Sequence, residues 1–423
     1  MATSRGACKR RTTAIDQRPA EGAPDARGAR HHPVIRIAWI LGLFAVANLL
    51  AVDLATFEGI SVNGIALWGR DFANVHSAGR LILEGRLATV YDIAAYQQWQ
   101  AATFGPGISE HAYSYPPVTL IYAPLFGALP YFAALALWFG VSLVAFTWAA
   151  RPWLARAGGP PWLALVLPTT LLCLWAGHYG LLLGALWLFA WANVERRPIA
   201  AGIAIGLMLV KPHLAILLPL VLVRRGAWRT IAAAAATVSL LVLTSLIFFG
   251  VEPWRAFLGG TAGSQLALVE QSQTYFALLM PTVATSLLAL DVPRALAWAG
   301  QAAVALAAIN ALWVAQPGDA MRAGAATATA TFLVLPYAYN YDMTVVGLAA
   351  YLAMVAASRA DHRPGLLPGL LIAAAVFVVI PAMFFLSFYG VRIAPLLVAG
   401  LLWLLLSRPL FTDEPIASRT AAR

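Results

Sequence analysis

The sequence predicts an all-α, polytopic helical membrane protein, and three observations carry that expectation. Of its 423 residues 61% are hydrophobic and only 11% charged, against about 45–50% apolar and about 25% charged in soluble domains. Apolar runs recur along the whole chain at lengths suited to membrane helices, which need about 20 residues at roughly 1.5 Å each. Runs such as "LLVLTSLIFF" (240–249) do not alternate apolar and polar residues, as the strands of a membrane β-barrel must.

The first 33 residues are rich in Arg, Ala, Gly and Pro and hold most of the eight basic residues found by position 36. They predict a disordered basic tail. The remaining basic residues punctuate apolar runs. A formal charge of +10 spread in this way is topogenic charge, not a nucleic-acid groove. "VIRIAWILGLFAVANLLAVDL" (34–54) follows and lies too far from the start for an ordinary cleaved signal, so it reads as a retained first helix. Cys8 and Cys173 make neither a disulfide framework nor a metal site.

Further apolar runs lie at 117–150, 161–176, 179–194, 198–224, 229–250, 274–290, 295–315, 323–337, 343–357, 366–388 and 393–407. With the basic tail in the cytoplasm, the positive-inside rule threads them. Residues 55–130 form an extracytoplasmic loop with interfacial helices, and 131–150 crosses. The stretch 198–224 is a hairpin of two short helices broken at "KPH", where proline removes a backbone donor. A run at 274–290 that contains Pro281 and stays re-entrant leaves Arg322, Arg359, Arg363, Arg408, Arg419 and Arg423 on the cytoplasmic side. The count is about 12 crossings, with a membrane domain over 34–408 and a cytoplasmic C-terminal tail over 409–423. Four polar places then share the outer side: 55–116, Gly177–Tyr179, 251–273 and Asn340–Asp342.

Those places carry the candidate chemistry. In "WGRDFANVHSAGRLILEGRLATVYD" (68–92), Phe72, Val75, Gly79 and Ile82 recur at helical spacing, which reads as an amphipathic helix on the outer membrane face. Asp71 at its start suits a helix cap and also a general base that takes the proton of an acceptor hydroxyl; the two roles are compatible. Arg70, His76 and Arg80 suit lipid head groups or a substrate phosphate. Lys211, the only lysine outside the tail, interrupts an apolar segment and by default faces a cavity or a partner, since a cation there is costly. His213 is its neighbour. His178 in "GHYG", Asp342 at the end of "YAYNYD", Gln273 in "QSQTYF", and Tyr113 and Tyr115 in "YSYPP" put polar or aromatic groups between apolar helices. Each is also an ordinary structural polar group or interfacial anchor when taken alone. No Walker, Rossmann or zinc spacing is present. Together these residues describe one outward-facing cavity for a polar substrate carried on a lipid phosphate.

The order of "GRDFANVHSAGRLILEGRLATVYD", "YSYPPVTLIYAPLFGALP", "GHYGLLLGALWLFAW" and "RRPIAAGIAIGLMLVKPHLAILLPLVLVRRGAW" resembles glycosyltransferase family 87, with the similarity covering roughly residues 60–230. The resemblance implies a GT-C fold like that of bacterial polyprenyl-phosphate-mannose-dependent α-mannosyltransferases. It further implies inverting transfer, with a carboxylate of the first outer loop as base. Carried over, that carboxylate is Asp71, and Lys211 falls on the family's lysine after a short apolar helix. Two places depart from the family pattern. Gly177-His178 stands where Gly-Gln is frequent, and Tyr339, Asn340, Tyr341 and Asp342 stand where many members carry Trp and His.

The expectation is therefore a hexosyltransferase of the bacterial inner (plasma) membrane, working on the extracytoplasmic side. The donor is a polyprenyl-phosphate-linked sugar, mannose or a relative, and the acceptor a hydroxyl of a glycolipid or glycan. Asp71 is catalytic. Lys211, Arg80 and His76 bind the donor phosphate, and His178, Tyr113, Tyr115, Gln273, Asn340, Tyr341 and Asp342 bind substrate. No cofactor, metal or nucleic acid is expected. A lipid-linked-sugar transporter or flippase, and a non-catalytic glycolipid-binding subunit, are the rival readings.

Overall fold

Proline suits the first turn of a helix, because its missing N–H would have no partner there, and Pro33 opens the first helix, α1 (Pro33–Ala55), where the His32 ring accepts the Val34 amide. A computed structural model describes residues 32–62, 66–105, 112–261, 267–271, 274–315, 317–359 and 366–411. The tail expected over 1–33 lies outside the described residues up to position 31, as do Cys8, Gln273 and the C-terminal tail from 412.

After α1 come a two-stranded antiparallel hairpin, β1 (Ser61–Val62) and β2 (Ala66–Leu67), then α2 (Phe72–Leu83), α3 (Ile93–Phe104) and α4 (Ala123–Gly127). The membrane-type helices follow: α5 (Tyr131–Arg156), α6 (Leu163–Val166), α7 (Pro168–Ala176), α8 (Gly180–Asn193), α9 (Pro198–Leu207), α10 (Leu218–Arg224) and α11 (Trp228–Phe249). Three short helices, α12 (Glu252–Ala256), α13 (Tyr275–Leu278) and α14 (Val283–Leu288), lead into α15 (Arg294–Ala315), α16 (Ala320–Val334), α17 (Thr344–Arg359), α18 (Leu366–Phe388) and α19 (Ala394–Ser407).

The architecture is predominantly α-helical, and α1, α5, α11, α15 and α18 are long and apolar enough to cross a membrane. The remaining apolar helices are shorter, including Gly180–Asn193, Thr344–Arg359 and Ala394–Ser407. The long helices leave bulky apolar side chains bare: Ile247 is 80% exposed, Phe248 73% and Val144 72%. In water such a surface would be an association site; on helices of this composition it is a lipid-facing surface. Several buried polar groups find partners within the bundle, as an apolar surround favours. Thr327, Thr329 and Thr331 donate to the carbonyls four residues back. Trp187 Nε1 reaches the Gly324 carbonyl at 3.0 Å, and the Gln301 amide bridges Leu333 and Ala284.

One end of the bundle collects arginines. Arg156 pairs with Asp319 at 2.5 Å, Arg225 binds Glu195 and the Pro317 carbonyl, and Arg359 binds the Ala157 carbonyl. Arg322 takes the carbonyls of Leu405 and Leu406 in the last turn of α19, where a cation complements the exposed helix carbonyls. Arg156, Arg322 and Arg359 thus lie on one side, as the threading with a re-entrant 274–290 expects. That stretch is two short helices, α13 and α14, joined through Pro281, and 198–224 is a pair of short helices joined by two 3-10 turns around Lys211.

One expectation needs correction. α2 is not an amphipathic helix lying on the membrane. Nine of its twelve residues are buried, Phe72, Asn74, His76 and Ser77 among them. α4 lies against it so closely that a Cβ on Gly79 would overlap the Ala123 carbonyl, and one on Gly127 would overlap the backbone of Gly79 and Arg80. Tyr96 of α3 closes another side, its hydroxyl 3.0 Å from Asn74 Oδ1. The helical period was legible, but not the second layer that covers it. Gly79→Ala is therefore expected to destabilise the protein by about 1–3 kcal/mol through overpacking, read as a lowered midpoint of thermal unfolding in detergent. Gly140→Ala, at a helix position with no neighbouring atom in the way, should not lower that midpoint, since alanine is the better helix former.

Candidate active site

Gly69 and Arg70 both adopt positive φ, +86° and +38°, and turn the chain sharply into α2. For a non-glycine residue this conformation is uncommon and is held only by its surroundings. Arg70 is anchored by an ion pair to Asp53 of α1 at 2.5 Å and stacks over the Trp175 ring at 4.2 Å. The next amide, that of Asp71, donates to the Ala176 carbonyl at 3.1 Å. Gly177 ends α7 in the left-handed conformation and meets the Gly69 carbonyl so closely that no Cβ would fit. The turn before α2 and the turn between α7 and α8 are thereby locked together, which sets Asp71 beside His178.

Asp71 is not a helix cap: its side chain makes no capping hydrogen bond. Its own backbone conformation is already helical, so the carboxylate points away from the free amides of the first turn. It opens instead onto a cavity of about 600 Å³. His178, 4% exposed, stands next to it, Nε2 lying 3.8 Å from Asp71 Oδ2 and 3.0 Å from the Tyr115 hydroxyl. On its other edge, His178 Nδ1 faces Asp342 Oδ1 at 3.3 Å. Asp342 Oδ2 in turn accepts from Lys211 Nζ at 2.7 Å. Lys211 enters from the break between α9 and α10, extended as a residue before proline tends to be. Its ammonium lies 5.7 Å from the Tyr341 ring centre. The result is a continuous line, Asp71–His178–Asp342–Lys211, drawn from four separate parts of the chain.

Aromatic rings line the cavity beside these charges. Tyr339 and Tyr341 stack at 4.9 Å, the latter also against His178 at 4.6 Å, and Tyr337 stands edge-on to Tyr339. Asn74, Ser114, Tyr115, Lys211, His213, Tyr337, Tyr339 and Tyr341 reach the cavity with Asp71 and His178.

The sequence expectations divide accordingly. Asp71, Lys211, His178, Tyr115 and Tyr341 line the cavity together, and Asp342 is buried immediately behind it. Tyr113 supports the wall from behind, its hydroxyl bonded to Thr119 and its ring edge-on to Tyr115. Asn340 lies away from the cavity as a staple, donating to the Ile380 carbonyl and, by its amide, to Leu279. His76 and Arg80 do not reach the cavity. His76 is enclosed by Tyr131, Phe72 and Phe104 with Nε2 at the Leu129 carbonyl; burial pushes its pKa down, so it holds no charge for a phosphate. Arg80 is half exposed and faces Glu84. Gln273 lies outside the described residues. Asn74 and Tyr337 went unnamed in the sequence. Asn74 sits three residues after Asp71 on the same helix face, and Tyr337, Tyr339 and Tyr341 recur at every second position of "YAYNYD", which was the signal available for both.

Helices of this length and composition, enclosing a polar and aromatic cavity, define a polytopic helical membrane protein with an internal cavity. The model of glycosyltransferase family 87 matches residues 113–336. The chain belongs to that family, and its function is of the glycosyltransferase type. No curated protein matches the chain, and no solved structure does. Asp71 and Asp342 both fall outside the matched residues, so the cavity joins family sequence to its flanks on either side.

Removing one partner of a buried ion pair leaves the other charge without compensation, at about 3–5 kcal/mol. Asp342→Asn should therefore lower thermal stability by an amount of that order. Lys211→Met combined with Asp342→Leu should recover most of it, as thermal unfolding of the two variants in detergent would show.

Proposed function

We propose that this protein transfers a sugar, mannose or a related hexose, from a polyprenyl-phosphate donor to a hydroxyl of a glycolipid or glycan, with inversion at the anomeric carbon. The observation that carries the reading is the free carboxylate of Asp71 in one cavity with the buried ammonium of Lys211. The donor enters from the bilayer, its sugar lying along the Tyr339–Tyr341 wall, whose faces suit sugar rings. Asp71 takes the proton of the acceptor hydroxyl. The acceptor oxygen attacks the anomeric carbon, and the bond to phosphate breaks with its electron pair on the polyprenyl phosphate. The departing charge is met at the Lys211–His178 side of the cavity. Phosphate is a competent leaving group, so the step needs no general acid.

The site lies on the extracytoplasmic side of a bacterial plasma membrane in this reading, opposite the arginine-rich end, and the shorter apolar helices bring the crossings to about 12. Arg80 and His76 take no part at the donor phosphate; His76 ties α2 to the Leu129 carbonyl, and Arg80 faces Glu84.

Asp71→Asn should lower transfer by at least about 10²-fold while the protein still inserts and unfolds at the wild-type temperature. The measurement is release of polyprenyl phosphate from a panel of polyprenyl-phosphate sugars incubated with purified protein. Undiminished turnover in that variant would remove the base assignment. Binding of the donors without release by the wild type would favour a carrier or an assembly subunit.

A further inference from the structure

We propose that the arginine-rich end of the bundle carries a second binding site, one that takes an anionic phospholipid with its phosphate on Arg224. The site is separate from the Asp71 cavity and does not rest on the sugar-transfer reading. A cavity of about 270 Å³ lies there between α10, α15 and the first turns of α16. Leu220, Val221 and Leu312 give it an apolar wall, and Arg224, Arg225 and Trp313 line the rest.

The two arginines are differently placed. Arg225 is taken up by structure: its guanidinium donates to Glu195 at 2.7 Å and to the carbonyls of Pro317 and Gly318 at 3.0 and 3.2 Å. Arg224 is exposed and lies 5.0 Å from the centre of the Trp313 ring, a contact that holds the guanidinium without using its N–H donors. Among the described residues Arg224 has no hydrogen bond and no carboxylate in ion-pair reach. The acidic groups nearby are already engaged, Glu195 by Arg225 and Asp319 by Arg156 at 2.5 Å. Arg196 and Arg197 directly follow Glu195, and Arg229 lies in the first turn of α11, all three exposed. The local field is therefore positive, and the unengaged fork of Arg224 suits the paired oxygens of a phosphate.

A lipid fits this place better than a free anion does. Val223 and Trp313 are each 43% exposed and Val314 69%, a surface that meets acyl chains on helices of this composition. A tryptophan at the end of an apolar helix and a basic pocket between such helices both mark the level of lipid head groups. The phosphate meets Arg224 while an acyl chain lies along the apolar wall. A head group of net negative charge is selected over a zwitterionic one, whose ammonium the surrounding arginines repel. Because α10 is the second half of the hairpin broken at Lys211, the bound lipid braces that hairpin against α15.

The test is native mass spectrometry of the full chain released from detergent, titrated with phosphatidylglycerol, phosphatidylcholine or soluble glycerol phosphate. The wild type should bind phosphatidylglycerol in a saturable step, more tightly than either of the other two. Arg224→Gln should lose about tenfold or more of that affinity, the worth of a charge-assisted contact to phosphate. Arg151→Gln removes another exposed arginine, near the same end of α5 as Arg156, and should bind like the wild type. Phosphatidylglycerol should also raise the thermal midpoint of the wild type in detergent, and do so less for Arg224→Gln. Absent binding by the wild type, or equal binding by Arg224→Gln, overturns the proposal. So does an equal loss in Arg151→Gln, which would reduce the attraction to a general effect of charge. Equal affinity for phosphatidylcholine removes the selection by charge, and equal affinity for glycerol phosphate removes the lipid; either result overturns the proposal as well.

Discussion

The site depends on a buried ion pair. An ammonium and a carboxylate, both nearly or wholly cut off from solvent, are expensive to desolvate and persist only where each finds the other with good geometry. Lys211 and Asp342 do so at 2.7 Å, from segments 131 residues apart in the chain. Because neither charge has an inexpensive alternative, the break between α9 and α10 and the loop between α16 and α17 have to meet. His178 then fills the remaining edge of Asp342, and Tyr341 is drawn over both. One pairing thus brings together three of the cavity's walls.

The fourth wall is held by shape. The turn that presents Asp71 is set by Arg70, itself fixed between Asp53 and Trp175, and by the absence of side chains at Gly69 and Gly177 where the two backbones touch. Behind it, the Gly79–Gly127 contact lets α4 press α2 into place. Hydrogen bonds from Tyr91 to the Tyr115 carbonyl and from Tyr113 to Thr119 steady the aromatic loop. The edge that carries Asp71 is therefore held by contacts that need small residues, and the edge that carries Lys211 by contacts that need charge.

Much of this was legible, and what was not has a common cause. Proline after Lys211 announced the broken hairpin, and a lone lysine in an apolar run announced a buried charge with a partner. Arginine placement anticipated which loops share an end. What the sequence does not encode locally is depth. The spacing of Phe72, Val75, Gly79 and Ile82 marks a helix face but not the second layer that buries the other one. His76 and Asn340 have the same chemistry as His178 and Asn74, and differ only in what surrounds them: a ring cage and a helix carbonyl in one case, a cavity in the other. Asp71 looked like a cap because its type and position fit one. Its dihedral angles, set by a tertiary contact to Ala176, decide otherwise.

Two carboxylates lie near the cavity, and their geometry separates them as candidates for the proposed base. Asp342 is fully buried, one oxygen held by Lys211 and the other turned to His178, and it lies behind the cavity wall. A lone pair already engaged by an ammonium is a poor proton acceptor, and no acceptor hydroxyl could approach it without displacing that contact. Asp71 is 18% exposed at its side chain, opens onto the cavity and makes no hydrogen bond through its carboxylate among the described residues. It keeps the reach that proton abstraction requires. Asp342 keeps Lys211 in place and holds the His178 ring beside Asp71. Burial separates the two: the deeper carboxylate is consumed by structure, and the shallower one stays open to the cavity, as the proposed role of base requires.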